Sequence, residues 1–148
     1  MINVSLVGPA NLIVAAVIKW MLERGYLIVA PVGNDGPQAR PLYPAAYPGV
    51  IAVSGVTGDG RLLPEASRGS RVDFVAPGIA TAPDIAGREV AVRGTSFAAP
   101  VVSRHLAAYV AAPGPGAAKN AVRRLIHETV RNKRASRFRS VGAGFIVP

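Results

Sequence analysis

Two short stretches hold the residues best suited to chemistry. In "VRGTSFAAPVV", Val92 to Val102, Ser96 follows a Gly-Thr pair and opens a run that reads as an apolar helix. A serine there can attack a carbonyl, because the first turn of a helix offers unpaired N–H groups and a positive dipole end to a developing oxyanion. Serine is also among the commonest helix caps, so the position alone leaves both readings open. Gly94 permits a positive φ or a close backbone approach. Pro100 has no N–H, so a carbonyl near Ser96 loses its usual helical partner. In "GNDG", Gly33 to Gly36, the Asn34 amide can donate to an oxyanion, although Asn-Asp-Gly is equally ordinary turn chemistry.

Both stretches need a scaffold that brings them together. "INVSL" reads as a short strand turned by Gly-Pro, and a helix follows from about Asn11 to Arg24, stopped by Gly25. "YLIVAPV" is a continuous β-branched run, as expected of a strand buried on both faces. Strand, helix and strand within about 30 residues make a βαβ unit and imply a parallel sheet. Further strands are expected at "VIAVSGV", "VDFVAPG" and "EVAVR", with loop at "TGDGRLLPEASRGSR". A helix is expected from Ser96 to about Val110, then a linker "APGPGA" and an amphipathic helix "AAKNAVRRLIHETV". The tail "VGAGFIVP" reads as a turn and a short apolar strand.

Composition bounds the rest. The 148 residues amount to one domain or part of a larger one, and 50% are hydrophobic, enough for a sizeable core. There is no cysteine, which excludes disulfides and thiolate metal sites but does not set a compartment. The apolar run Leu12 to Ile18 is far short of the roughly 20 residues of a membrane span, and neither a preceding basic region nor a following small-residue cleavage site marks it as a signal. It is expected to be a buried helix. The net charge of +9 is uneven, with seven of 17 basic residues between Arg123 and Arg139. With Phe138 the one aromatic interleaved for base stacking, a solvated helix end is the simpler reading than a nucleic-acid or anionic-lipid surface.

Taken in order, "INVSLVGP", "VAPVGNDGP", "YPAAYPGVIAVSGV", "DFVAPG" and "GTSFAAPVV" resemble the C-terminal half of the catalytic domain of subtilisin-like serine peptidases. "GTSFAAP" is the specific motif, and the resemblance covers nearly all of residues 1–148. It implies an α/β fold, part of a doubly wound, mainly parallel sheet with flanking helices. It implies that Ser96 is the acylating serine and that Asn34 is the oxyanion donor beside the Ser96 backbone N–H. Ser5, Leu6 and Val7 match the strand that pairs with an extended polypeptide substrate. Ala30 to Gly33, and Leu42, match walls of the pocket for the residue before the scissile bond. No cofactor and no metal are implied; Asp73 matches an aspartate near a weak cation site in some relatives, but one carboxylate suits a strand end or ion pair better. Relatives are often secreted.

Three departures stand out. Val7 and Leu42 occupy positions where relatives often have glycine, which narrows the pocket toward small side chains. "PVVSR" replaces the usual Pro-His-Val-Ala-Gly, so Arg104 is expected to put a charge where a small residue packs against a helix. The family's order is Asp, His, Ser, yet neither an Asp-Thr/Ser-Gly strand end nor a His-Gly-Thr helix start occurs. Of the two histidines, His105 follows Ser96 by nine residues on the same expected helix, about 13 Å along its axis, and His127 lies on the later amphipathic helix. Neither suits the role of base. The chain alone is therefore expected to be inactive, whether as a truncation, as a half that pairs with an N-terminal partner supplying Asp and His, or as a non-catalytic peptide-binding descendant.

Overall fold

The computed structural model describes residues 1–131 and 144–146. In chain order the elements are β1 (Ile2–Asn3), α1 (Leu12–Glu23), β2 (Ile28–Pro31), β3 (Ile51–Val56), β4 (Phe74–Pro77), β5 (Ile79–Pro83), β6 (Glu89–Arg93), α2 (Thr95–Ala107), α3 (Ala117–Arg131) and β7 (Gly144–Phe145). Five strands form one sheet in the order β1-β2-β3-β4-β7, and every neighbouring pair is parallel.

The apolar runs explain this layering. Successive side chains of a strand point to opposite faces. Leu27, Val29, Ile51, Val53, Phe74 and Ala76 therefore enter one core with Ala98, Ala99, Val102 and Leu106 of α2 and Ala121 and Leu125 of α3. Ile28, Ala30, Val32, Val50 and Ala52 enter a second core with Ile18 of α1. Every residue of β2 and β3 is buried, which is why these strands read as unbroken apolar runs. The fold is α/β with helices on both faces of a parallel sheet.

Three expectations differ from the structure, and one element was not expected. α1 is not a buried helix: it buries Ile18 alone, while Leu12 is 90% and Ile13 76% exposed, because among the described residues nothing covers its outer face. The first strand is shorter than expected, ending at Asn3, with the Val4 N–H still donating to the Val29 carbonyl and Gly8 bonded instead to Tyr43. The strand expected at Glu89–Arg93 is present as β6, and it pairs antiparallel with β5, for which no strand was expected; the two form a separate hairpin whose exposed residues lack the apolar alternation that marks a half-buried strand. Arg104 is exposed in the last turn of α2, so its charge stays in solvent, where it also complements the helix dipole. Among the described residues no helix is long and apolar enough to cross a membrane. The basic run from residue 132 to Arg139, Phe138 included, lies outside the described residues.

Candidate active site

Asn34 and Ser96 are brought together at the carboxyl end of the parallel sheet, where α/β folds form their ligand crevices. The chain leaves β2 at Pro31 and reaches Asn34 three residues later; it leaves β6 at Arg93 and enters α2 through Gly94. The Gly94 N–H donates to the carbonyl of Gly78 at 2.8 Å, fixing the helix entry to the end of β4. Gly94 has φ +149, and a Cβ there would stand 3.1 Å from Asn34 Nδ2. A side chain there would crowd the asparagine amide, and the positive φ favours glycine.

The N-cap of α2 is Gly94, with no side-chain capping bond of its own, so Ser96 is the second helical residue and not the cap. Capping comes from outside the helix. Asn34 Oδ1 accepts from the Thr95 N–H at 2.9 Å and from Thr95 Oγ1 at 3.1 Å. This settles how the amide is turned, because a backbone N–H can only donate and the group facing it must be the oxygen. The Asn34 NH₂ is thereby left as a donor beside the first turn of α2. The Ser96 N–H belongs to the same set of helix-start donors that have no intrahelical partner. The Asn34 amide and the Ser96 backbone N–H thus lie at the same helix N-terminus.

The Asn34 loop is itself held. Ser67 Oγ accepts from the Asp35 N–H at 3.1 Å, the Ser67 N–H donates to the Gly33 carbonyl at 3.0 Å, and the Gly36 N–H donates to the Glu65 carbonyl at 2.9 Å. The Glu65 carboxylate makes a two-pronged ion pair with Arg93, which immediately precedes Gly94. Hydrogen bonding from Arg93 holds the Glu65 carboxyl below its ordinary value, and Glu65 raises that of Arg93. The segment carrying Asn34 and the segment carrying Ser96 are therefore tied through Glu65 and Arg93. Sequence reasoning missed Thr95, Ser67 and this ion pair. The Gly-Thr-Ser spacing placed Thr95 beside the site, but nothing in sequence connects residues 65 and 93.

Contacts connect several of the other expected site residues to Ser96 and to one another. Ser5 Oγ donates to the Ser96 carbonyl at 3.2 Å. Leu6 and Val7 are exposed at 75% and 40%. Gly8 exchanges two backbone hydrogen bonds with Tyr43, each 2.9 Å, which draws residues 5–8 alongside Leu42. Leu42 in turn covers Gly33: a Cβ on Gly33, whose φ is +100, would stand 2.4 Å from Leu42 Cδ1. Gly33, Leu42, Ser5, Asn34 and Ser96 are thus linked through short chains of contacts. Asp73 takes the strand-end role, accepting from the Ala52 N–H at 2.9 Å and pairing with Arg71 at 2.8 Å. His127 is exposed on α3, and His105 lies in the last turn of α2, at the far end of the helix from Ser96.

A family model described as the subtilase family, peptidase S8, matches residues 2–144; the chain belongs to that family. Subtilisin E of Bacillus subtilis (strain 168) is 34% identical over 107 residues, covering 69% of this chain and 28% of that protein. The thermophilic serine proteinase of Bacillus sp. (strain AK1) is 38% identical over 98 residues, 66% of this chain and 24% of that protein. Among solved structures, the self-cleaved protease domain of PatA superposes with a TM-score of 0.70 at 28% identity, covering 86% of this chain and 52% of that one. The S41 psychrophilic protease gives a TM-score of 0.72 at 24% identity, covering 88% and 48%, a likeness of fold. The chain therefore spans about a quarter of the length of these curated relatives and about half of these solved protease chains.

Proposed function

We propose that residues 1–148 are the C-terminal portion of a subtilase catalytic domain, carrying the nucleophile and the oxyanion donors of a serine endopeptidase whose base and orienting carboxylate come from an N-terminal portion. The observation that supports this reading is the Asn34–Thr95 bond: the amide oxygen accepts from the Thr95 N–H, which leaves the NH₂ as the group available to donate to an oxyanion.

In the assembled enzyme the Ser96 hydroxyl loses its proton to the supplied histidine as Oγ attacks the carbonyl carbon of an extended peptide. The carbonyl oxygen becomes an oxyanion that accepts from Asn34 Nδ2–H and the Ser96 N–H. The C–N bond then breaks, the amine leaves with the proton held on the histidine, and water hydrolyses the acyl ester on Ser96. Residues 5–7 pair with the substrate backbone in the manner of strand addition. Leu42, packed over Gly33, and Val7 narrow the pocket before the scissile bond, so small side chains are preferred there. The complementing portion covers α1's exposed apolar face and the free edge of β1.

A second reading is a peptide-binding module without catalysis, and the placement of both histidines away from Ser96 favours it for the chain in isolation. A fluorophosphonate probe separates the two. Labelling confined to Ser96 and lost in Ser96→Ala supports the nucleophile. Binding of an extended peptide with no labelling, in the presence of a complementing portion that restores Asp and His, would leave the binding module.

A further inference from the structure

A helical carbonyl at position i ordinarily accepts from the N–H of residue i+4. For Ser96 that residue is Pro100, inside α2, which has no N–H and whose ring crowds the carbonyl four residues earlier. The carbonyl of the candidate nucleophile is therefore deprived of its helical donor, and Ser5 Oγ stands 3.2 Å away.

Ser5 does not stand alone. Asn3 Nδ2 donates to Ser5 Oγ at 2.9 Å, and the hydroxyl of Ser103, itself buried, donates to Asn3 Oδ1 at 3.0 Å. The directions are consistent throughout: Ser103 donates, Asn3 accepts with its oxygen and donates with its nitrogen, and Ser5 accepts from Asn3 and donates to Ser96. Each bond polarises the next in the same sense. The relay begins two turns along α2 from Ser96, crosses to β1 and the segment after it, and returns to the first turn of the same helix.

We propose that Ser5, backed by Asn3 and Ser103, is a positioning device that replaces the donor lost at Pro100 and fixes the backbone of Ser96. The consequence for catalysis rests on the reading of Ser96 as nucleophile; the structural device does not. Ser5 thus does more than lie along a peptide groove, and Ser103 acts on Ser96 although seven residues separate them.

The test is a cycle of four full-length chains: the native sequence, Ser5→Ala, Pro100→Ala, and both together. Pro100→Ala returns the missing N–H to the Ser96 carbonyl. In the native background Ser5→Ala lowers the folding equilibrium constant about five-fold, the ordinary worth of one such bond. In the Pro100→Ala background it lowers it less than two-fold. Equal penalties in both backgrounds would overturn the proposal. If Ser5→Ala does not fold, restoration of folding by Pro100→Ala supports the proposal and failure to restore it counts against it. In an assembly that cleaves peptides, Ser103→Ala lowers kcat several-fold with KM unchanged, and Ser103→Thr restores it; unchanged kcat would overturn the positioning role. An assembly that cleaves nothing counts against the proposed function, and the stability cycle alone then decides this inference.

Discussion

Asn34→Asp separates the two tasks of one side chain. Asn34 Oδ1 accepts two hydrogen bonds from Thr95, one of them from a backbone N–H in a residue with no exposed surface. Asn34→Ala removes both and orphans that buried donor, a cost of about 1–3 kcal/mol. Aspartate has the same shape, keeps the accepting oxygen, and adds a negative charge at a helix N-terminus, a gain of about 0.3–1 kcal/mol. At pH 7 Asn34→Asp should therefore match or exceed the native chain in stability, whereas Asn34→Ala falls below it. The sign with pH follows from the bonded carboxylate. Its folded pKa is depressed below an unfolded value of about 3.9, so the gain is present above that value and lost as pH falls through the folded one. Urea unfolding of the three chains at pH 7, repeated near pH 3, measures this. Both variants lose the NH₂ donor, so in an assembled enzyme both should lose about 10²–10³ in kcat, a figure whose worked example is a subtilisin and is therefore borrowed for this family. If Asn34→Asp is as destabilising as Asn34→Ala at pH 7, the amide is turned the other way and the oxyanion argument fails.

Further expectations concern the frame of the site. Glu65→Gln should cost about 0.5–1 kcal/mol at pH 7, a modest value because the Glu65 and Arg93 side chains are 29% and 45% exposed. The Glu65 carboxyl is depressed from about 4.5, so the native pair contributes fully above that pH and loses its effect as pH falls through the folded value; unfolding curves of the native and Glu65→Gln chains should therefore converge below it. Gly94→Ala places a Cβ 3.1 Å from the Asn34 amide at φ +149 and should destabilise by about 1–3 kcal/mol, with slower probe labelling of Ser96; native-like stability would show that the loop yields freely. Leu12→Ser with Ile13→Ser, both on the exposed face of α1, should change stability by less than about 0.5 kcal/mol each yet reduce light scattering and weaken capture of a complementing portion. Unchanged capture would remove α1 from that interface.

The sheet was legible because its strands are buried on both faces, which forces unbroken apolar runs such as Ile28 to Pro31. Helix boundaries followed from Asn11, which accepts from the Ile13 and Val14 N–H groups, and from Gly25 just beyond Arg24. β5 was not legible, since a hairpin exposed on most of its surface has no apolar face to pattern its sequence. The burial of α1 was misjudged for a related reason: apolar character shows what a helix could bury, not whether the rest of the chain covers it. At the site, Pro100 announced an orphaned carbonyl, but the donor that meets it is Ser5, 91 residues away, and only the fold joins them. Position alone left Ser96 open as a cap of α2, whereas the capping bond comes from Asn34 across 61 residues.

As proposed above, the chain holds a nucleophile and oxyanion donors whose base lies outside it. The rate of fluorophosphonate labelling at Ser96, measured on the chain alone and on the chain joined to a subtilase N-terminal portion carrying the Asp-Thr-Gly and His-Gly-Thr segments, tests it most directly. Labelling should be slow for the chain alone and rise by several orders of magnitude on joining, a gain lost when the supplied histidine is replaced by alanine. Fast labelling of the isolated chain, or a joined protein that folds with both segments intact and still leaves Ser96 unlabelled, would contradict it.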